Sequence, residues 1–268
     1  MAELQVAWKP REENTVVGTP VDRLDGVEKA SGGAKYSADW NSPGTLQARL
    51  LTAAYAHARI KKLDASGAMK VPGVRGVYVF PDRAPKDDGA TYEVRFEGDP
   101  LVAVAADTAA QALDGIRAIQ VEYEVLPHFV NEFDLAGAYE RGLAKAQRDS
   151  EDGELAAAFK SADATVRGHY GIHTITHCCL EPHGSHCEWK GDDLDVHLST
   201  QNVSGTAGQF AGAPQVGIDV SKVTVNCQYI GGGFGSKFAA DEWDIAATVL
   251  SKQTGKPVKL MLDRMTEL

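Results

Sequence analysis

The order of apolar and polar positions divides the chain into stretches of different period. Residues 46–51 and 74–80 have the composition of strands, and the turn pair Pro72-Gly73 introduces the second. Residues 101–105 form a short apolar run, expected as a buried strand. Asp107 then stands where a helix cap belongs, and Ala110, Leu113 and Ile116 recur at the spacing of one helix face. The run 119–125 returns to alternation, so the pattern predicts strand, helix, strand, closed at Pro127.

Residues 127–165 are more polar and rich in Ala, Asp, Glu and Gly, with weak helical character over 133–146 and 155–162. They are expected to connect two units across the surface. Beyond them, 166–175 and 185–189 read as strands. Leu194, Val196 and Leu198 alternate with Asp195 and His197, and 223–229 alternates again. Asp241 opens a helix to about residue 252, with Ile245, Ala246, Val249 and Leu250 on one face and Gly255 as terminator. Residues 257–262 follow as a strand. Residues 1–20 show no period and contain Pro10 and Pro20, which predicts an arm ordered only against a partner. No solenoid-length repeat or low-complexity tract is present.

Composition narrows the classes. At 268 residues and 43% hydrophobic, the chain can bury a sizeable core. Its 27 Lys and Arg stand against 37 Asp and Glu, a formal net charge of −10 with no basic block, which argues against nucleic acid as a partner. No apolar run approaches the ~20 residues of a membrane span, and charges occupy the first residues where a signal peptide needs an apolar core. The chain therefore reads as cytoplasmic, or periplasmic if a partner carries the export signal. Cys178, Cys179, Cys187 and Cys227 lack the spacing of a disulfide framework, so reduced thiols are expected.

Candidate chemistry concentrates in Tyr229-Ile230-Gly231-Gly232-Gly233-Phe234-Gly235-Ser236-Lys237, between a predicted strand and a predicted helix. Such glycines admit positive φ and close approach of a ligand, and consecutive free N–H groups make an anion-binding concavity. The spacing fits neither a Rossmann fingerprint, whose sixth place is Ser236, nor a Walker loop, in which Ser or Thr would replace Phe238. A plain surface turn is the alternative, although Phe234 is poorly placed in one unless it covers something. The residues alone leave both readings open.

The loop resembles the glycine-rich cofactor loop of the molybdenum hydroxylases, the xanthine dehydrogenase and aldehyde oxidase family. The resemblance extends to Arg23-Leu24-Asp25 and Gly33-Ala34-Lys35-Tyr36-Ser37-Ala38-Asp39, then Ala56-His57-Ala58-Arg59-Ile60, Pro72-Gly73-Val74 and Val121-Glu122-Tyr123-Glu124-Val125-Leu126-Pro127. Leu180-Glu181-Pro182-His183 and Ser199-Thr200-Gln201-Asn202 follow in the family's order. Several motifs in register weigh more than any one.

The resemblance implies an α+β chain with an arm over 1–20, a hammerhead domain over 21–127, a connecting segment over 128–165 and the first, incomplete part of a molybdopterin-binding domain over 166–268. It implies molybdenum held through a pterin dithiolene with no protein metal ligand, the pterin alone or extended as the cytosine dinucleotide. The implied activity is hydroxylation of aldehydes or N-heterocycles with oxygen from water. Cysteine spacing for an iron–sulfur cluster and a flavin signature are both absent, so those cofactors, including FAD, would sit on partner subunits.

Carried over by position, Gln201 would hydrogen-bond an oxygen ligand of the molybdenum. Gly233, Phe234 and Gly235 would turn N–H groups toward it, with Phe234 shaping the substrate side, and Gly231 and Gly232 would line the pterin side. Gln201 and Phe234 are thus the candidate catalytic positions. Glu181 is expected to be structural, and Lys237 to be a solvated residue at a helix start.

The sequence also departs from the family. It stops at Leu268, where relatives continue into the part holding the glutamate base, so isolated activity is not expected. Phe238 stands where purine-oxidising relatives tend to be acidic, which tilts the substrate toward aldehydes or less polar heterocycles. Two other classes compete: a noncatalytic scaffold that keeps the fold, and a zinc-binding module built on the His and Cys residues of 177–187. Adjacent cysteines are poorly disposed to chelate one metal.

Overall fold

The computed structural model describes residues 10–267 apart from 87, 88, 132, 146–149, 151, 169 and 174. In chain order the elements are α1 (Gly26–Ser31), β1 (Leu46–Thr52), β2 (Ala58–Asp64), β3 (Val74–Val79), β4 (Glu93–Val94), β5 (Pro100–Ala106), α2 (Ala109–Arg117) and β6 (Gln120–Val125). Then come α3 (Leu135–Glu140), α4 (Leu155–Ser161), β7 (Gly184–Lys190), β8 (Asp193–Leu198), α5 (Val203–Gly212), β9 (Val223–Asn226), α6 (Glu242–Thr254), β10 (Val258–Met261) and α7 (Arg264–Glu267).

Most strands join one mixed sheet in the order β3-β5-β1-β10-β7-β8-β9, while β4-β2-β6 form a small second sheet. β5 explains the arrangement. Its residues Pro-Leu-Val-Ala-Val-Ala-Ala are all buried, as a central strand covered on both faces must be. Ala103 and Ala105 face a core with Leu46, Ala48, Phe210, Leu250 and Leu260, beneath α5 and α6. Val102, Val104 and Ala106 face a second core with Ile60, Val94 and Ala112, beneath α2 and the small sheet. A two-residue period thus gives one strand to two cores.

The large sheet draws strands from both sides of residue 127. β1 pairs in parallel with β10, Leu46 opposite Val258 and Ala48 opposite Leu260. β10 then pairs antiparallel with β7.

Helix α6 starts and stops as its residues suggest. Asp241 and Asp244 form a reciprocal capping box, and Gly255 closes the helix at φ 62°. Two expectations fail. Asp107 does not cap α2; Thr108 does, accepting from the Gln111 N–H, while Asp107 pairs with Arg75 at 2.6 Å. Nor do the described residues of 166–175 form a strand: they join neither sheet, and Val166 is 86% and Ile172 90% exposed, with 169 and 174 outside the described residues. Strand composition needs a partner edge, and both sides of β7 are taken by β8 and β10. Of the predicted arm, residues 1–9 lie outside the described residues; 10–20 are almost wholly exposed.

Candidate cofactor-loop site

Strand directions assemble the site. β8 and β9 are parallel, β7 is antiparallel to β8, and β10 is antiparallel to β7. The ends of β8, β9 and β10 and the start of β7 therefore lie at one end of the sheet. Glu181 and His183 arrive there before β7, Gln201 after β8, the glycine loop after β9, and α7 after β10.

Gln201 is tied to the loop by backbone and side chain. Its N–H donates to the Lys237 carbonyl at 2.7 Å, and its Oε1 accepts from the N–H of Gly235 at 3.0 Å and of Lys237 at 3.4 Å. With the amide oxygen facing these N–H groups, the amide NH2 points away and has no partner among the described residues. A Cβ on Gly233 would lie 2.4 Å from Gln201 Oε1, which explains glycine at that position.

The turn itself is unusual backbone. Gly232 and Gly235 sit at φ 106° and 105°, and Phe234 between them at φ 51°, a conformation that disfavours a bulky residue. Its ring is 74% exposed. The N–H groups of Gly232, Gly233 and Phe234 make no hydrogen bond among the described residues.

The Gly235 N–H differs from its expected use, and the Gly231 N–H is also occupied. The Gly235 N–H is spent on Gln201 and the Gly231 N–H on Glu181 Oε2, at 2.7 Å, so neither is free for a ligand. The N–H groups left to face one are those of Gly232, Gly233 and Phe234.

Behind the loop, Glu181 fits its structural expectation. Its carboxylate also accepts from the Ser37 N–H at 3.2 Å and hydroxyl at 2.8 Å. Lys237 contradicts its expectation. Only 1% exposed, it donates from Nζ to the Glu181 carbonyl and to Ser199 Oγ, both at 2.7 Å, with Glu181 Oε2 at 3.9 Å. Burial pulls its pKa down, opposed by the charge of Glu181. A lysine beginning a loop-to-helix segment looks solvated in a linear reading, but the sheet end folds three acceptors around it.

Sequence reasoning missed Ser37, Ser236 and Glu267. Ser236 Oγ lies 3.0 Å from His183 Nε2, and Glu267 Oε1 lies 2.8 Å from His183 Nδ1. Nothing in the spacing of these residues signals the contact. All four cysteines are free, with Cys179 and Cys187 buried. Among the described residues no group of three or more His, Cys, Asp or Glu converges as metal ligands would.

Comparison with known proteins gives the family. Residues 31–127 match the family model described as aldehyde oxidase and xanthine dehydrogenase, a/b hammerhead domain. Residues 139–268 match the molybdopterin cofactor-binding domain. The chain belongs to the xanthine dehydrogenase and aldehyde oxidase family.

Within that family it is 29% identical, over 95% of its own length, to an aldehyde oxidoreductase molybdenum-binding subunit of Escherichia coli O157:H7, of which it covers 36%. It is 31% identical to the nicotinate dehydrogenase large molybdopterin subunit of Eubacterium barkeri, covering 93% of this chain and 62% of that one. Quinoline 2-oxidoreductase from Pseudomonas putida 86 superposes with a TM-score of 0.75 at 27% identity, covering 93% of this chain and 35% of the other. This family member thus spans about a third of the length of the E. coli relative. No helix among its described residues is long and apolar enough to cross a membrane.

Proposed function

We propose that this chain supplies the glycine-loop wall of a molybdopterin site in an enzyme that hydroxylates aldehydes or N-heterocycles with water as the oxygen source. The observation that carries the reading is a set of unpaired donors on one rim: the N–H groups of Gly232, Gly233 and Phe234 beside the free amide NH2 of Gln201. Donors without acceptors suit an oxygen-rich anionic group, and a pterin-bound molybdenum centre is one. When bound, that group supplies the two-electron oxidation and the oxygen transfer.

The chain's own residues bind and orient. Gln201, held through Oε1, donates from its NH2 toward an oxygen of the cofactor. Gly233 keeps the space that lets Gln201 approach, while Glu181 and Lys237 fix the loop from behind. Phe234 presents its ring toward the substrate side. Exposed Phe238 adds no charge there, which favours aldehydes or less polar heterocycles over purines.

The family likeness implies the partners. A remaining molybdopterin-binding portion would bring the general base and most pterin contacts. Iron–sulfur subunits, with or without an FAD subunit, would carry electrons away in a cytoplasmic hetero-oligomer. The hammerhead unit over 21–127 and the cofactor unit from 166 would act as halves of one scaffold.

Metal analysis and pterin fluorescence on the assembled complex test the assignment. Gly233→Val is expected to reduce molybdenum and pterin content together. Gln201→Ala is expected to keep the fold and lower turnover by about tenfold to a hundredfold, the usual effect of removing a group that orients a metal centre. Unchanged metal content in the first and unchanged turnover in the second would refute it.

A further inference from the structure

A polar chain at the base of the loop has no role in the reading above. His183 is mostly buried, with Nδ1 2.8 Å from Glu267 Oε1 and Nε2 3.0 Å from Ser236 Oγ. Ser236 Oγ is also 2.8 Å from the Gly233 carbonyl oxygen, which the Ser236 N–H approaches at 2.9 Å. Glu267 is held from its other side by Arg264, in a 2.8 Å ion pair not aligned as a hydrogen bond, and Arg264 donates to the Cys179 carbonyl at 2.7 Å.

Counting hydrogens orders this chain. The carbonyl of Gly233 only accepts, and Ser236 has a single hydroxyl hydrogen. A bare Nε2 would claim that hydrogen and leave the Gly233 carbonyl with the Ser236 N–H alone. With a hydrogen on Nε2, the ring donates to Ser236 Oγ and the hydroxyl is released to Gly233, so both short contacts of Ser236 are satisfied at once. Cys179 Sγ, 3.9 Å from Oγ, is the remaining neighbour of the hydroxyl.

We infer that His183 is a positioning residue, a ring clamped between Glu267 and Ser236 whose Nε2–H pins the Ser236 hydroxyl on the Gly233 carbonyl and so holds the turn. Ser236 follows Gly235, whose N–H grips Gln201 Oε1. The clamp therefore also sets the aim of Gln201. That last consequence rests on the cofactor reading; the clamp itself does not.

The charged groups around the imidazole come from three elements. Glu267 and Arg264 belong to α7, Lys237, which feels the charge of Glu267, to the loop, and Asp241, which interacts electrostatically with His183, to the start of α6. The edge of Trp243 packs on the ring, centroid to centroid 6.2 Å. Glu267 is the acceptor in direct contact.

Nuclear magnetic resonance on the 268-residue chain without cofactor tests the clamp. Nε2 of His183 is expected to carry hydrogen. Ser236→Ala is expected to speed amide exchange at Gly235 and Ser236 by roughly tenfold, about what one lost hydrogen bond is worth, with β7 and β8 unchanged. Adding His183→Gln to Ser236→Ala is expected to bring little more, because the two act as one unit. If His183→Gln does not fold, the ring state and Ser236→Ala decide alone.

A His183 ring with no hydrogen on Nε2, unchanged exchange in Ser236→Ala, or additive effects in the double variant would overturn the inference. These readouts contain no molybdenum. An intact clamp in a protein that fails to retain cofactor would condemn the functional reading and leave the clamp standing.

Discussion

At Lys237 a positive charge is almost removed from water, and what keeps it is the density of acceptors at that point. Its ammonium has the Glu181 carbonyl, Ser199 Oγ and a nearby carboxylate, so desolvation is offset by placed dipoles. Removing the charge would leave the Glu181 carbonyl without its Lys237 donor and the Glu181 carboxylate without its counter-charge in a buried site. Lys237→Met is expected to cost about 3 kcal/mol, as breaking a buried pair usually does. Urea unfolding would measure it, and a loss no larger than that of a surface substitution would show that the acceptors are satisfied without the lysine. Phe234 makes the opposite compromise. It holds a conformation suited to glycine while its ring stays in solvent, which is reasonable for a residue kept for contact and not for packing.

At the scale of an element, α6 carries the most consequential chemistry of stability. Its first turn buries two carboxyls. Asp244 accepts from Ser185 Oγ at 2.7 Å and is pushed by burial up to about 7, and Asp241 is pushed by burial up to about 6. In the unfolded chain both titrate near the ordinary value of about 4. Between about pH 4 and 7 the folded state thus holds protons that the unfolded state has released. The stability they contribute is complete below the unfolded value and is lost as pH rises through about 6 and about 7. The urea midpoint of the wild type relative to Asp244→Asn is therefore expected to fall from about pH 5 to about pH 8. A flat difference between the two curves would show that Asp244 is ionised in the fold throughout.

Across the whole molecule, the central fact is that one sheet is shared by segments far apart in sequence. The edge of β1 that pairs with Val258 and Leu260 would be open without β10. An unpaired edge with a buried apolar face invites association. A fragment ending at residue 127 is expected to aggregate when made alone and to become soluble when the 128–268 segment is supplied with it. Size-exclusion chromatography would decide, and a monomeric, cooperatively unfolding fragment would show that the hammerhead part closes its own core. Between the connecting segment and β7, Val166, Tyr170 and Ile172 stand exposed.

Local chemistry was legible wherever one segment determines its own state. The period of β8, the uninterrupted apolar run of β5, and the Asp241 and Gly255 ends of α6 all follow from side-chain alternation, burial and capping, which act over a few residues. The motifs in order, from Tyr36 through Gln201 to the glycine loop, were enough to reach the family. What lay beyond the sequence were the contacts made when four chain segments meet at one end of the sheet. The burial of Lys237, the loss of the Gly231 and Gly235 N–H groups to Glu181 and Gln201, the Ser236–His183–Glu267 chain and the absence of the described residues of 166–175 from both sheets all depend on strand order. That order is set by long-range pairing of edges, and no local period encodes which edge a strand will find.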